Sequence, residues 1–151
     1  MNSEVGSIVV LKNVIFKKSF KKNKNHIDHA YNTGRPAIVI CQTDEKIYHL
    51  LLTHSRFQDE QMNDRYFPIL DYKMNVNSFI DFNEIHSRPL CYEKEYEYIN
   101  DEDLHDILVA FCTYQENYSE DEEYEEIRPY LYCLIKELSQ GDEKSLKKEK
   151  K

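Results

Sequence analysis

The sequence predicts an α+β domain whose mostly antiparallel sheet curls into a small barrel and is followed by C-terminal helices. Strand-like apolar runs fill the chain as far as Ile85, helical patterns begin only at Asn100, and the two kinds do not alternate. A short polar turn, Gln42 to Lys46, joins the apolar runs Ala37 to Cys41 and Ile47 to Leu52 as a hairpin or meander would. At 151 residues the chain holds one domain with a real core and is short for two. The expected division is a single domain over 1–140 and a disordered, basic tail over 141–151.

The first strand is expected in "IVVLKNVIF", Ile8 to Phe16, which is β-branched and apolar, and it is opened by Gly6. The stretch "KKSFKKNKNHIDHAYNTG" that follows is polar, rich in lysine and closed by Gly34, so it reads as a long connection of the functional or disordered kind. After the hairpin comes "RYFPIL", Arg65 to Leu70, a short strand that Pro68 pushes to an edge or bulge. Ser78 to Ile85, "SFIDFNEI", reads as one further strand, with Phe79 and Phe82 not in strict phase.

Helix signals are sharper. Asn100 is the expected N-cap, Asp101, Glu102 and Asp103 suit the helix dipole, and Ile99 faces Leu104 as a hydrophobic staple. Leu104, Ile107, Leu108, Phe111 and Cys112 then recur on one face. A second helix is expected from the capping-box spacing of Ser119 and Glu122, through Tyr124, Ile127, Leu131, Leu134, Ile135 and Leu138, to a stop at Gly141. Pro129 should kink it or mark a fresh start.

Composition narrows the function. No apolar run approaches the roughly 20 residues of a membrane span, and the N-terminus lacks the pattern of a signal peptide. Cys41, Cys91, Cys112 and Cys133 are widely spaced in apolar or aromatic surroundings and read as buried, reduced thiols, which favours the cytoplasm. A net charge of −8 argues against a protein coated by nucleic acid on all sides, yet the charge is unevenly spread. Residues 5–27 hold six lysines and no acid, while residues 93–126 hold fourteen acidic side chains and one lysine. One end can therefore attract phosphate while the other repels it. His26 and His29 form an HxxH pair without a third ligand, so neither metal nor cofactor is expected.

The order of "VGSIVVLKNV", "GRPAIVI", "LLLTHS", "RYFPIL" and "SFIDFNEIHS" leading into "INDEDLHDILVAF" resembles the MazF/PemK family of bacterial toxin endoribonucleases over residues 5–113. The resemblance implies an SH3-like barrel with helices, usually dimeric, that cuts single-stranded RNA such as mRNA without a metal and is held in check by an antitoxin. It also implies that Arg35 in "GRP" and Thr53 in "LLTHS" occupy the catalytic arginine and threonine positions. Each has an ordinary structural explanation when taken alone: a surface ion pair for the arginine, a β-former or turn residue for the threonine. Together they suit a reaction in which the ribose 2′-hydroxyl attacks its own phosphate, because the protein then needs only to position the strand and stabilise charge. A guanidinium offers fixed donors to phosphate oxygens, and a threonine hydroxyl adds one more hydrogen bond.

His54 and Ser55 beside Thr53 are the supporting candidates for binding or proton transfer. Lys17, Lys18, Lys21, Lys22 and Lys24 are expected to guide the RNA backbone, and Phe20 or Tyr31 to stack a base. The lysine-rich connection and the acidic helical end depart from the family pattern. They leave open a protein antitoxin, an RNA antitoxin built of repeats, and a non-catalytic module that binds RNA or protein.

Overall fold

The computed structural model describes residues 4–12, 34–53, 62–69, 78–90, 95–118 and 121–149. Apolar, β-branched segments form β1 (Ser7–Leu11), β2 (Arg35–Gln42) and β3 (Lys46–Thr53). A single helical turn, α1 (Met62–Arg65), leads into β4 (Tyr66–Ile69), and β5 (Ser78–Asp81), β6 (His86–Pro89) and β7 (Glu95–Tyr98) follow. Two helices, α2 (Asp101–Tyr118) and α3 (Glu122–Glu149), complete the described chain. The result is an α+β fold in which a curled antiparallel sheet, a half-barrel, is backed by the two C-terminal helices.

Strands run in the order β4-β5-β3-β2-β1-β7, with β6 beside β3 as well, and every pairing is antiparallel. Irregular register between Val39 and Cys41 in β2 and between Ile8 and Val9 in β1 increases the local twist and helps the sheet to curl. Gly6 sits at φ 94°, where a side chain would be strained, and links strand to sheet and helix. Its N–H donates to the Val39 carbonyl at 2.8 Å and its carbonyl accepts from Ile99 N–H at 2.9 Å.

Two apolar layers result from the period-two alternation of the strands. Ile8, Ile38, Leu50, Leu52 and Ile80 pack under the helices with Leu104, Leu108, Phe111, Ile127 and Leu131. Phe111 lies at the centre, with Phe82 edge-on at 5.6 Å on one side and Tyr124 edge-on at 5.8 Å on the other. Val9, Leu11, Ala37, Val39, Ile47 and Leu51 form the second layer on the opposite face of the sheet.

The hairpin matches its expected place, and so does the start of α2: Asn100 Oδ1 accepts from Asp103 N–H at 2.8 Å, and Ile99 and Leu104 are both buried in the main core. Other elements differ. Ser78–Ile85 is not one strand: β5 ends at Asp81, and the chain turns so that Phe82 enters the core and its N–H donates to the Arg65 carbonyl at 2.9 Å. This turn explains why Phe79 and Phe82 are out of phase. β6 and β7 carry no apolar alternation and pass unnoticed in the sequence; β7, "EYEY", is an edge strand, where charge is tolerated.

Asp121 caps α3, its Oδ1 accepting from Glu123 N–H at 2.9 Å, and the proposed cap Ser119 lies outside the described residues. The helix runs through Pro129 and past Gly141 to Glu149. A glycine costs only about 1 kcal/mol within a helix, a penalty that the rest of a long helix outweighs. Residues 13–16 of the expected first strand also lie outside the described residues, so β1 is established only to Leu11. No described helix is long and apolar enough to cross a membrane.

Burial pushes the Cys41 and Cys112 thiols up to about 11. Cys133, however, is exposed on α3, contrary to the expectation that all the cysteines are buried; Cys91 lies outside the described residues. Alkylation near pH 8 should therefore label Cys133 in the native protein and spare Cys41 and Cys112 until it unfolds, as read by peptide mass spectrometry. A Cβ placed on Gly34 would collide with Val10 Cγ1 of β1, and valine has little freedom to yield. Gly34→Ala should cost about 1 to 3 kcal/mol in chemical denaturation, against a near-neutral change at an exposed loop glycine.

Candidate functional site

Antiparallel pairing brings the end of one strand beside the start of the next. Leu11, the last residue of β1, is paired with Arg35, the first of β2. Ala37 is paired with Leu51, and two further steps along each strand reach Arg35 and Thr53. Thr53 is in turn paired with Phe79 of β5, which is paired with Pro68 of β4. Leu11, Arg35, Thr53, Phe79 and Pro68 thus form a row across one rim of the sheet. Alternation puts Arg35 and Thr53 on the same face as Ala37 and Leu51, the face turned away from the helices.

The lysine-bearing connection leaves from Leu11 and returns at Arg35, so both its ends lie at this rim. Lys17, Lys18, Phe20, Lys21, Lys22 and Lys24 themselves lie outside the described residues, as do His54 and Ser55, Tyr31, and the His26 and His29 pair. Among the described residues no three His, Cys, Asp or Glu side chains converge as metal ligands.

One row inward, β5 supplies a carboxylate. Asp81 shares the Phe79 face and accepts from Arg65 twice, Nε to Oδ1 at 3.0 Å and Nη2 to Oδ2 at 3.1 Å, and from Asn83 N–H at 3.0 Å. Both partners of this side-on ion pair are mostly buried, with side chains 21% and 25% exposed for Arg65 and Asp81, so the pair is not a screened surface contact. The guanidinium carbon of Arg65 also lies 5.0 Å from the centre of the Tyr66 ring, which meets Phe79 edge-on at 6.4 Å. From α2, Tyr114 donates its hydroxyl proton to Asn83 Oδ1 at 3.0 Å, and Gln115 Nε2 donates to the Phe82 carbonyl at 2.8 Å. The corner that holds Asp81 is thereby tied to the helix beneath it.

The two arginines respond differently to this carboxylate. Burial lowers the affinity of Arg35 for its proton, and the charge of Asp81 offsets that only in part. Burial acts on Arg65 in the same sense, but the hydrogen bonds and charge of Asp81 outweigh it and the net shift is upward. Arg65 is therefore the principal partner of Asp81, and Arg35 feels it from a distance.

Arg65, Asp81, Asn83 and Tyr114 escaped the sequence reading. One signal was present: Asp81 is an acid inside an otherwise apolar strand pattern, and a buried acid needs a cationic partner. Which of the chain's basic residues supplies it depends on the β4–β5 pairing and cannot be read along the chain. Comparison with protein-family models gives no match, and neither does comparison with curated protein sequences.

Denaturant unfolding of Arg65→Gln, Asp81→Asn and the double variant measures how far this pair acts as a unit. The expected coupling is about 1 kcal/mol or more, with the double variant less destabilised than the two single changes summed. Strict additivity would show that the two side chains are neighbours only.

Proposed function

We propose that the chain is a toxin endoribonuclease of the MazF/PemK type, with an SH3-like barrel, that cleaves single-stranded RNA without a metal. The observation that carries this reading is the register that sets Arg35 and Thr53 on one face of one rim. That rim also receives both ends of the lysine-rich connection.

The chemistry that fits is transesterification. A ribose 2′-oxygen loses its proton and bonds to the adjacent phosphorus, the bond to the 5′-oxygen breaks, and that oxygen takes up a proton. The products are a 2′,3′-cyclic phosphate and a 5′-hydroxyl. The Arg35 guanidinium holds the phosphate oxygens as charge accumulates on the phosphorane, and partial desolvation strengthens that interaction. The Thr53 hydroxyl orients the same phosphate. His54 and Ser55 follow directly on Thr53 and serve as supporting groups. The lysines from Lys17 to Lys24 steer the backbone toward the rim. In this reading the protein acts in the cytoplasm, dimerises as its family does, and is neutralised by a protein or RNA antitoxin.

A binding module without turnover is the second reading, favoured by the acidity of the chain and by Asp81 near Arg35. Expression in bacteria, followed by analysis of RNA ends, separates the two. The wild type should arrest growth and generate cyclic-phosphate ends, and Arg35→Ala should lose on the order of 10² to 10³ in cleavage rate. Equal growth and RNA integrity for wild type and Arg35→Ala would rule out the nuclease. Salt-dependent RNA binding without cleavage would establish the binding module.

A further inference from the structure

On the helix side of the sheet, a cavity of about 190 Å³ lies between the start of β4 and α2, and five aromatic rings line it: Tyr66, Phe67, Phe82, Tyr114 and Tyr118. Four of them form a chain. Phe67 and Phe82 have centres 6.2 Å apart and planes tilted by 44°, Phe82 and Tyr114 follow at 6.2 Å and 46°, and Tyr114 and Tyr118 at 5.4 Å and 38°. Rings at these angles open as wedges instead of closing as flush stacks, so their π faces are not fully covered by one another. The fifth ring, Tyr66, already carries a cation on its face, the guanidinium of Arg65, whose central carbon is 5.0 Å from the ring centre.

The single formal charge among the described lining residues is negative. Asp64, on α1, borders the cavity and accepts from the Tyr118 hydroxyl at 2.8 Å. The neighbouring Arg65 is held side-on by Asp81, so its charge is matched there. Aromatic rings and a carboxylate around one space are complementary to an organic cation. The cavity is smaller than the roughly 300 to 1,000 Å³ of sites for drug-sized molecules, so it suits a compact head group. We infer that this cavity is a binding site for a quaternary ammonium group, held by the ring quadrupoles and by the Asp64 carboxylate. A primary ammonium has three donors to satisfy, and an aromatic lining offers them little; a trimethylammonium group has none, and its methyl groups spread the charge over an apolar surface that fits the rings. A nucleotide would bring its phosphate toward Asp64, which disfavours it. The site uses neither Arg35 nor Thr53 and does not rest on the nuclease reading.

The probe is choline chloride, titrated into the full chain by isothermal calorimetry at constant ionic strength, beside its neutral carbon analogue, in which a tert-butyl group replaces the trimethylammonium. Choline should saturate one site with a Kd on the order of 1 mM, and the analogue, though of the same shape, should bind roughly tenfold more weakly. Asp64→Asn should weaken choline binding about fivefold and Tyr118→Leu about tenfold, while Tyr118→Phe, which keeps the ring, should stay within about twofold of the wild type. Asp64 and Tyr118 are exposed, so these changes leave the core intact, and the comparison of the two ligands on the wild type needs no variant. A peptide carrying trimethyl-lysine, run in parallel, assigns the source of the group; either ligand bound with this dependence on Asp64 and Tyr118 sustains the site. An analogue that binds as tightly as choline would reduce the cavity to an apolar one. Unchanged binding by Asp64→Asn or Tyr118→Leu, a wild type that does not saturate with either ligand, or adenine that competes more strongly than choline itself overturns the proposal.

Discussion

The shared use of strand β3 is the constraint from which the rest of this architecture follows. A strand has two hydrogen-bonding edges, and β3 gives one entirely to β2. The other is divided: Lys46 to His49 pair with β6, and Leu52 and Thr53 pair with β5. The chain between β5 and β6 must therefore leave the ladder at Phe82 and rejoin it at His86. That departure drives Phe82 into the core against Phe111 and leaves Asp81 as the last residue of β5, where its carboxylate accepts from Arg65 and Asn83. The polar corner at the rim and the aromatic centre of the core are two sides of one break in the sheet.

Burying a carboxylate there costs desolvation energy that a lone hydrogen bond does not offset. Asp81 is tolerated because its acceptor positions are met by a side-on guanidinium and a backbone N–H, while the guanidinium gains the face of Tyr66. Tyr114 and Gln115 of α2 then fasten the neighbouring Asn83 and the Phe82 carbonyl. The helix thereby contributes directed hydrogen bonds as well as apolar area, and the geometry of the rim depends on how α2 sits on the sheet.

Signals that act over a few residues were legible in the sequence: the Asn100 cap with its three acids, the Ile99 to Leu104 staple, the 35–53 hairpin and the apolar face of α2. Arg35 and Thr53 could be placed at one rim from antiparallel pairing alone, because adjacent strands fix which ends meet. What was not legible depends on partners far apart in the chain. β7 is recognisable as a strand only through its pairing with β1, more than eighty residues away, and its own residues are acids and tyrosines. The Arg65–Asp81 pair needs the β4–β5 register, which a proline-containing edge strand does not advertise. Gly141 misled because a stop signal is only a modest penalty, which a long helix overrides.

Every connection that borders the row of Arg35 and Thr53 opens at the same rim: the segment after Leu11, the one after Thr53, and the one between Ile69 and Ser78. The described strand ladders lie behind these points of departure. Such an arrangement separates evolvability from stability, since these segments can lengthen, shorten or change composition while the strand ladders remain as they are. New side chains could be acquired there by drift, with Arg35 and Thr53 carried unchanged at the rim from one variant to the next.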